Sequence, residues 1–190
     1  MMEQGICKPS CSPYASPLHM VPKKEAGTWR PCGDYKALNA ATVPDRYPLP
    51  HIQDFTAGLH GKKFFSKIDL IRAFHQILMA PANVPKTAVI TPFGLYEFLT
   101  MPFGLRNAVQ TFQRHMNNTL RGLNFTFCYL DDILVASSNE QEHLQHLDTL
   151  FRRLQDYRLT VNVSKCIFGV EEISFLGYSV FCKGIIPHPD

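Results

Sequence analysis

The segment Phe127-Cys128-Tyr129-Leu130-Asp131-Asp132-Ile133-Leu134-Val135 places two adjacent aspartates inside an otherwise apolar, β-branched run. Aspartate is depleted from strands, and two neighbouring carboxylates in an apolar hairpin repel each other and lose hydration. The pair therefore predicts that a cation binds at this position. Aspartate is also a favoured turn residue, so a simple tight turn between two strands remains the alternative.

A third carboxylate, Asp69, ends a short strand that the apolar residues of 64–70 predict. If this strand neighbours the acidic hairpin in one sheet, the three carboxylates converge. Carboxylate oxygens suit Mg²⁺, and two such ions about 3.5–4 Å apart activate an attacking hydroxyl and stabilise a leaving pyrophosphate. Asp69, Asp131 and Asp132 therefore predict phosphoryl-transfer chemistry on a nucleotide.

The remaining pattern predicts an α+β fold in which helices back an antiparallel sheet. Residues 1–62 are rich in proline, which favours loops and short edge strands, with one hairpin across Lys23–Trp29. The last helix is expected to carry Leu144, Leu147, Phe151 and Leu154 on its apolar face and to expose His143 and His146 on its polar face. The predicted helices are 71–79, 105–120 and 139–157, and the other predicted strands are 87–91, 96–100, 125–136, 160–163 and 173–180.

Composition excludes several classes of protein. The 190 residues are 45% hydrophobic with a mean hydropathy of −0.09, enough for an ordinary buried core. No apolar run reaches the roughly 18 residues of a membrane span, and no secretory leader is visible. The six cysteines show no tight spacing and predict free thiols. We expect an intracellular protein without a membrane partner.

The net charge of +3 is unevenly distributed. Residues 1–130 carry fourteen Lys and Arg against seven Asp and Glu, whereas residues 131–190 carry five against nine. A basic front half suits a phosphate-bearing partner, and an unevenly charged solvated surface is the alternative.

An ordered series of motifs along nearly the whole chain resembles the reverse transcriptases of gypsy-type LTR retrotransposons. Tyr129-Leu130-Asp131-Asp132 resembles their metal-binding motif. Each motif is weak alone, and their order and spacing make the resemblance specific. The other motifs are Asp45-Arg46-Tyr47-Pro48-Leu49-Pro50, Ser66-Lys67-Ile68-Asp69-Leu70, Ala73-Phe74-His75-Gln76-Ile77, Pro85-Lys86-Thr87-Ala88, Gly94-Leu95-Tyr96-Glu97-Phe98, Met101-Pro102-Phe103-Gly104-Leu105, Thr111-Phe112-Gln113 and Phe175-Leu176-Gly177.

The resemblance implies the fingers and palm of a right-handed polymerase, with fingers at about 1–62 and 80–104 and palm at about 63–79 and 105–190. It implies an RNA-directed DNA polymerase core that adds dNTPs to a primer 3′-OH on an RNA or DNA template. Two Mg²⁺ ions, or Mn²⁺ in their place, are the implied cofactors.

The resemblance also implies three groups of site residues. Phe74 stands where the family places an aromatic that blocks the 2′-hydroxyl of a ribonucleotide, and a core aromatic is the alternative. The implied metal ligands are Asp69, Asp131 and Asp132. The implied dNTP-binding residues are Lys23, Arg30, Arg72, Ala73, Phe74, Phe103 and Gly104. The implied primer grip is Phe175, Leu176, Gly177 and Tyr178, for which a closing core strand is the alternative.

Two other functions remain open. An RNA-dependent RNA polymerase shares the carboxylate geometry, although a bulky Phe74 disfavours it. A truncated, non-catalytic remnant that at most binds nucleic acid is the second, because the sequence ends just after the primer-grip stretch. The thumb, and the RNase H and integrase of a Gag-Pol-type polyprotein, are expected elsewhere. We therefore expect the isolated chain to be a poor and marginally soluble polymerase.

Overall fold

The computed structural model describes residues 1–22 and 27–188. Two units alternate along the chain: the first contains Met1–Arg46 and Arg72–Phe112, and the second contains Tyr47–Ile71 and Gln113–Asp190. The predicted fingers and palm alternate in the same way with different limits, and those functional boundaries stay a prediction.

The described residues form strands, α-helices and three short 3-10 helices. The strands are β1 (Cys7–Pro9), β2 (Ser16–Pro22), β3 (Trp29–Gly33), β4 (Phe64–Asp69), β5 (Val89–Thr91), β6 (Gly94–Phe98), β7 (Thr126–Tyr129), β8 (Asp132–Ser137), β9 (Ile167–Val170), β10 (Glu172–Phe175), β11 (Tyr178–Phe181) and β12 (Gly184–Pro187). The α-helices are α1 (Lys36–Ala41), α2 (Ile52–Leu59), α3 (Ala108–Thr119) and α4 (Glu140–Asp156). The 3-10 helices are Ala73–Gln76, Pro81–Thr87 and Val163–Lys165. None of the described helices is long and apolar enough to cross a bilayer.

The first unit is built on a five-stranded sheet with the strand order β1-β6-β5-β2-β3. The predicted hairpins β2–β3 and β5–β6 are antiparallel, and β2 pairs with β5 in parallel. Glu25 and Ala26, in the predicted turn between β2 and β3, lie outside the described residues. The core of this unit contains Ile6, Tyr35, Val89 and Phe98.

The second unit contains two antiparallel sheets, with the orders β7-β8-β4-β9 and β10-β11-β12. The strand that ends at Asp69 lies beside the acidic hairpin in one sheet, as predicted. Strand β4 pairs with β8 from Phe64–Ser137 to Asp69–Asp132. Helix α4 packs against β8 and β4, so a helix backs this sheet as predicted. The buried core contains Leu59, Phe65, Phe127, Leu134, Ala136, Ile173, Phe175 and Val180.

The helix predicted over 71–79 is wrong beyond a single 3-10 turn, Ala73–Gln76. Residues 77–79 instead pair with the segment after β6: Leu78 forms a β-bridge with Thr100, and the Met101 amide donates to the Ile77 carbonyl at 2.8 Å. Pairing with a segment distant in sequence has therefore overridden the helical periodicity of a short apolar run.

Two other predictions also differ from the structure. The strand predicted at 160–163 is reduced to one β-bridge, between Leu70 and Val161. The proline-rich front segment contains the helices α1 and α2, because its prolines flank these two helices and do not interrupt them.

Helix α4 buries the predicted face only in part: Leu154 is buried, Leu147 and Phe151 are half-buried, and Leu144 is not buried. Leu144 is 62% exposed, whereas His143 is only 3% exposed and is buried together with Leu150 and Leu154. Asn139 caps this helix, accepting a hydrogen bond from the Glu142 amide. The prediction that His143 is solvated is therefore wrong.

Serine hydroxyls on two strands explain why a histidine is buried here. The His143 ring lies 2.6 Å from Ser66 Oγ through Nε2 and 2.7 Å from Ser137 Oγ through Nδ1. Both ring nitrogens are thereby satisfied, which removes the main cost of burying a polar side chain. His146 also contacts Ser137 Oγ, at 2.8 Å, and stacks on Phe125, so it too is partly buried.

The buried His143 is expected to make folding stability depend on pH. Burial lowers the pKa of His143, and the nearby His146 lowers it further against the opposing charge of Glu142. The folded chain therefore binds protons less readily than the unfolded chain, so stability falls as pH drops below the ordinary histidine value of about 6.5.

His143→Gln tests this expectation in denaturant melts between pH 8 and pH 5. The variant is expected to be less stable at pH 8 by about 1–3 kcal/mol, because a buried hydroxyl loses its partner, and to lose less stability on acidification. His60→Gln, at an exposed histidine of the same unit, is the control. If His143→Gln and the parent chain lose the same stability on acidification, His143 is not the source of the pH dependence.

Candidate active site

The β7–β8 hairpin and the end of β4 bring the three predicted carboxylates together. Asp132 is paired with Asp69 across β4–β8 and with Tyr129 across β7–β8. Directly paired residues in an antiparallel sheet have Cβ atoms about 4.5–5.5 Å apart. Leu130 and Asp131 form the intervening turn, and Leu130 adopts the left-handed conformation with φ 54°. A turn and a carboxylate cluster therefore coexist at this position.

The cluster has a strongly negative electrostatic environment. Burial, followed by the charges of Asp132 and Asp69, raises the pKa of Asp131 against the opposing charge of Lys67. Burial and the two adjacent aspartates likewise hold the pKa of the Cys128 thiol far above its ordinary value. The site therefore favours any cation that can neutralise it.

The carboxylates fit a divalent cation by donor chemistry. Among the described residues, no three His, Cys, Asp or Glu side chains are already arranged as a metal-binding set. Asp132 Oδ1 instead contacts the Lys67 ammonium at 3.0 Å. Strand pairing nevertheless places the carboxylates of Asp69 and Asp132 side by side, and carboxylate oxygens are the ligand type that Mg²⁺ and Mn²⁺ prefer.

Gln113 anchors the acidic turn, a role that sequence reasoning missed. This fully buried side chain donates from Nε2 to the Cys128 carbonyl at 2.9 Å and accepts from the Leu130 amide at 2.7 Å. The two bonds hold the backbone immediately before Asp131. An amide on the buried face of a predicted helix was the available signal, because such a group requires polar partners.

Three of the predicted nucleotide-binding residues contact one another in series in the first unit, with Phe74 edge-to-face against Phe103. The Arg30 guanidinium lies 4.7 Å from the centroid of the Phe103 ring, and the Phe103 and Phe74 centroids are 5.1 Å apart. Phe74 also packs against Phe112 at 5.2 Å and is half-buried. Lys23 lies outside the described residues.

The other predicted nucleotide-binding residues also belong to the first unit. Arg72 is exposed in the left-handed conformation, its guanidinium bonds the Gln4 side chain, and Ala73 is buried. A helix dipole contributes little here, since only a four-residue 3-10 turn follows. Gly104 has φ 94°, and a Cβ there would lie 3.0 Å from the Gly33 carbonyl oxygen, so the position requires glycine.

The predicted primer grip is a tight hairpin turn between β10 and β11. Leu176 and Gly177 have φ values of 51° and 80°, and Phe175 pairs with Tyr178 across the turn. The Phe175 side chain is fully buried in the core of the second unit. The closing-strand alternative therefore describes Phe175. Leu176 and Tyr178 are half-buried against the same core, and Gly177 is the exposed residue of the predicted grip.

The first unit also carries a groove of about 1000 Å³. Its lining includes the polar side chains of Asn39, Asn83, Lys86 and Arg106 and the exposed side chain of Leu78. Asn39 accepts from the Arg106 amide at 2.8 Å and donates to the Gly104 carbonyl at 2.8 Å. The groove is therefore amphipathic and braced by side-chain to backbone hydrogen bonds.

Family membership follows from the sequence. Residues 21–180 match the profile of the family described as reverse transcriptase (RNA-dependent DNA polymerase). The chain belongs to the reverse transcriptase family. This reverse transcriptase domain is 45% identical over its full length to the retrovirus-related Pol polyprotein from transposon 297 of Drosophila melanogaster. It is 38% identical over its full length to the Pol polyprotein from transposon gypsy of the same organism.

These curated relatives are much longer than the chain, which spans 18% of the transposon 297 polyprotein and 19% of the gypsy polyprotein. A foamy viral protease-reverse transcriptase solved in complex with double-stranded DNA has a TM-score of 0.91 and 25% identity. The match covers 98% of this reverse transcriptase domain and 33% of the solved chain. The resemblance to gypsy-type elements is thus confirmed at the level of the family.

Proposed function

We propose that this reverse transcriptase domain is the core of an RNA-directed DNA polymerase that adds dNTPs to a primer 3′-OH on an RNA or DNA template. The observation that carries the proposal is the register that sets Asp69 against Asp132, next to Asp131 in the turn. A foamy viral protease-reverse transcriptase of similar fold was solved in complex with an RNA/DNA hybrid. That complex supports an RNA or DNA template paired with a primer as the partner. The curated relatives are Pol polyproteins, so the RNase H and integrase that the family resemblance implies would belong to the remainder of a polyprotein.

The second unit would supply the metal ligands and the primer contact. Asp69, Asp131 and Asp132 would hold two Mg²⁺ ions, or Mn²⁺, which lower the pKa of an attacking hydroxyl and neutralise a leaving pyrophosphate when bound. Gln113 keeps the turn that carries Asp131 in one backbone conformation. The exposed turn at Gly177 would contact and position a primer strand.

The first unit would supply the nucleotide and template contacts. Arg30 offers a planar guanidinium that binds phosphate oxygens in bidentate fashion, and its stacking on Phe103 restricts its rotamers. Phe74, braced by Phe103 and Phe112, would exclude a 2′-hydroxyl by bulk. The groove with Lys86 and Arg106 suits a sugar-phosphate backbone, whose binding weakens as salt rises.

Primer extension on a synthetic template tests the proposal directly. We expect incorporation of dNTPs that requires Mg²⁺ or Mn²⁺ and stops in EDTA. The same assay on a version carrying the downstream polyprotein sequence should be faster, because a 1 Å misplacement of the 3′-OH costs about 10²-fold. Absence of extension by both chains, with both folded, would favour the non-catalytic alternative.

A further inference from the structure

Lys67 forms an ion pair with one of the proposed metal ligands. Its Nζ lies 3.0 Å from Asp132 Oδ1, and the two side chains are only 24% and 25% exposed. Lys67 precedes Asp69 by two residues on β4, so both side chains project from the same face of the strand. The cluster of three carboxylates therefore contains a cation supplied by the protein itself.

The ammonium is held from two directions. Besides Asp132, it faces the ring of Phe175, whose centroid lies 5.8 Å from Nζ. Phe175 is fully buried, and β4 is paired on both sides, with β8 and β9. Both the lysine backbone and its aromatic neighbour are thus fixed, and a cation over a ring gains further stabilisation. The charge of Lys67 also acts on Asp131.

We propose that Lys67 is a built-in counter-cation that competes with the divalent metal for Asp132. The proposal rests on the metal-binding role of Asp132 proposed above. Without metal, the ammonium offsets the repulsion within the carboxylate cluster and stabilises the fold. For Asp132 to ligate a metal, Nζ must leave Oδ1, so Lys67 weakens metal binding.

The reason for this competition is electrostatic. A carboxylate oxygen that accepts from an ammonium at 3.0 Å has less charge density available to a second cation. After exchange, the ammonium stays tethered to β4 and repels the newly bound dication across a short, partly desolvated distance. Removing the charge of Lys67 is therefore expected to destabilise the metal-free chain and to tighten metal binding.

The first experiment measures stability in EDTA with a double-mutant cycle of Lys67→Met and Asp132→Asn. Met preserves the length of the apolar stem without the charge. Lys67→Met alone is expected to lower the melting temperature, whereas in the Asp132→Asn background the same change should have a clearly smaller effect. Equal effects in both backgrounds would mean that the ion pair contributes nothing, which overturns the counter-cation role.

The second experiment measures Mn²⁺ binding from the electron paramagnetic resonance signal of the free ion. Lys67→Met is expected to bind Mn²⁺ at least about threefold more tightly than the parent chain, because one repelling charge is gone. Lys67→Arg should stay near the parent. Lys63→Met, which removes an exposed lysine just before the same strand, is the matched control and should change little. Lys67→Gln repeats the test with a polar side chain should Lys67→Met aggregate.

Failure of the inference and failure of the proposed metal site give different results. If the parent binds Mn²⁺ and Asp132→Asn abolishes binding, but Lys67→Met binds no more tightly, the competition is overturned and the metal site stands. If the parent binds no Mn²⁺, or binds it as well as Asp132→Asn does, Asp132 is not a metal ligand. In that case the proposed competition is overturned as well.

Discussion

Asp131→Asn and Asp69→Asn are each expected to abolish metal-dependent primer extension while leaving the chain folded. Each change removes one carboxylate charge from a site proposed to bind two divalent cations. Substituting a residue that only hydrogen-bonds to a metal ligand typically lowers activity or metal affinity by about 10–100-fold. Loss of a ligand itself should therefore lower the extension rate by more than about 100-fold. Extension rates at saturating Mg²⁺, in a chain whose parent is active, measure the effect.

Although Asp131→Asn is expected to lose activity, its stability in metal-free buffer should rise. Burial and the neighbouring carboxylates raise the pKa of Asp131, so ionising this carboxyl costs more free energy in the folded chain than in the unfolded chain. A neutral amide removes that penalty, and the melting temperature in EDTA is expected to rise. Asp156→Asn, at an exposed carboxylate at the end of α4, is the control for both measurements. Near-parental polymerisation by Asp131→Asn or Asp69→Asn would refute the metal assignment.

The acidic hairpin was predictable because its signals are local. Two aspartates inside an apolar run mark both the turn and the charged cluster, and the short apolar strand ending at Asp69 needs a neighbour in the same sheet. The order of family motifs then identified the family. Local pattern and motif order thus account for the part of the fold that carries the carboxylates.

The features that escaped prediction depend on partners remote in sequence. His143 is buried because Ser66, 77 positions away, satisfies one ring nitrogen. The segment 77–79 leaves the helical pattern because residues 99–101 pair with it. Helical periodicity reports which residues could share a face, but it carries no information about the polar groups that will meet that face.

The same limitation applies to the candidate site. Gln113 and Lys67 lie within motifs whose resemblance was clear, yet their roles follow from contacts to Leu130 and Asp132 that only the folded backbone brings close. Conversely, Phe175 matched a functional motif and proved to be a core residue. A motif therefore does not by itself assign the work of each side chain within it.

Phe74→Val is expected to admit ribonucleotides. The proposed barrier is the bulk of an aromatic ring five residues after Asp69, and the structure holds that ring between Phe103 and Phe112, at centroid distances of 5.1 and 5.2 Å. A braced ring cannot easily swing aside, so it suits steric exclusion. The ratio of kcat/KM for dCTP over rCTP should fall by about 10–200-fold, the range that small changes in pocket size control.

Two further variants separate steric exclusion of the 2′-hydroxyl from the contribution of the Phe74 ring to packing. Phe74→Tyr keeps the bulk of the ring and should preserve discrimination, whereas Phe93→Val, at an exposed residue in the β5–β6 turn, should change neither stability nor the ratio. Phe74→Val will also lose contacts with Phe103 and Phe112, so the overall rate is expected to drop for both nucleotides. Because this loss of packing lowers kcat/KM for dCTP and for rCTP alike, it does not change their ratio. An unchanged ratio in a folded Phe74→Val chain would therefore show that Phe74 is only a core aromatic.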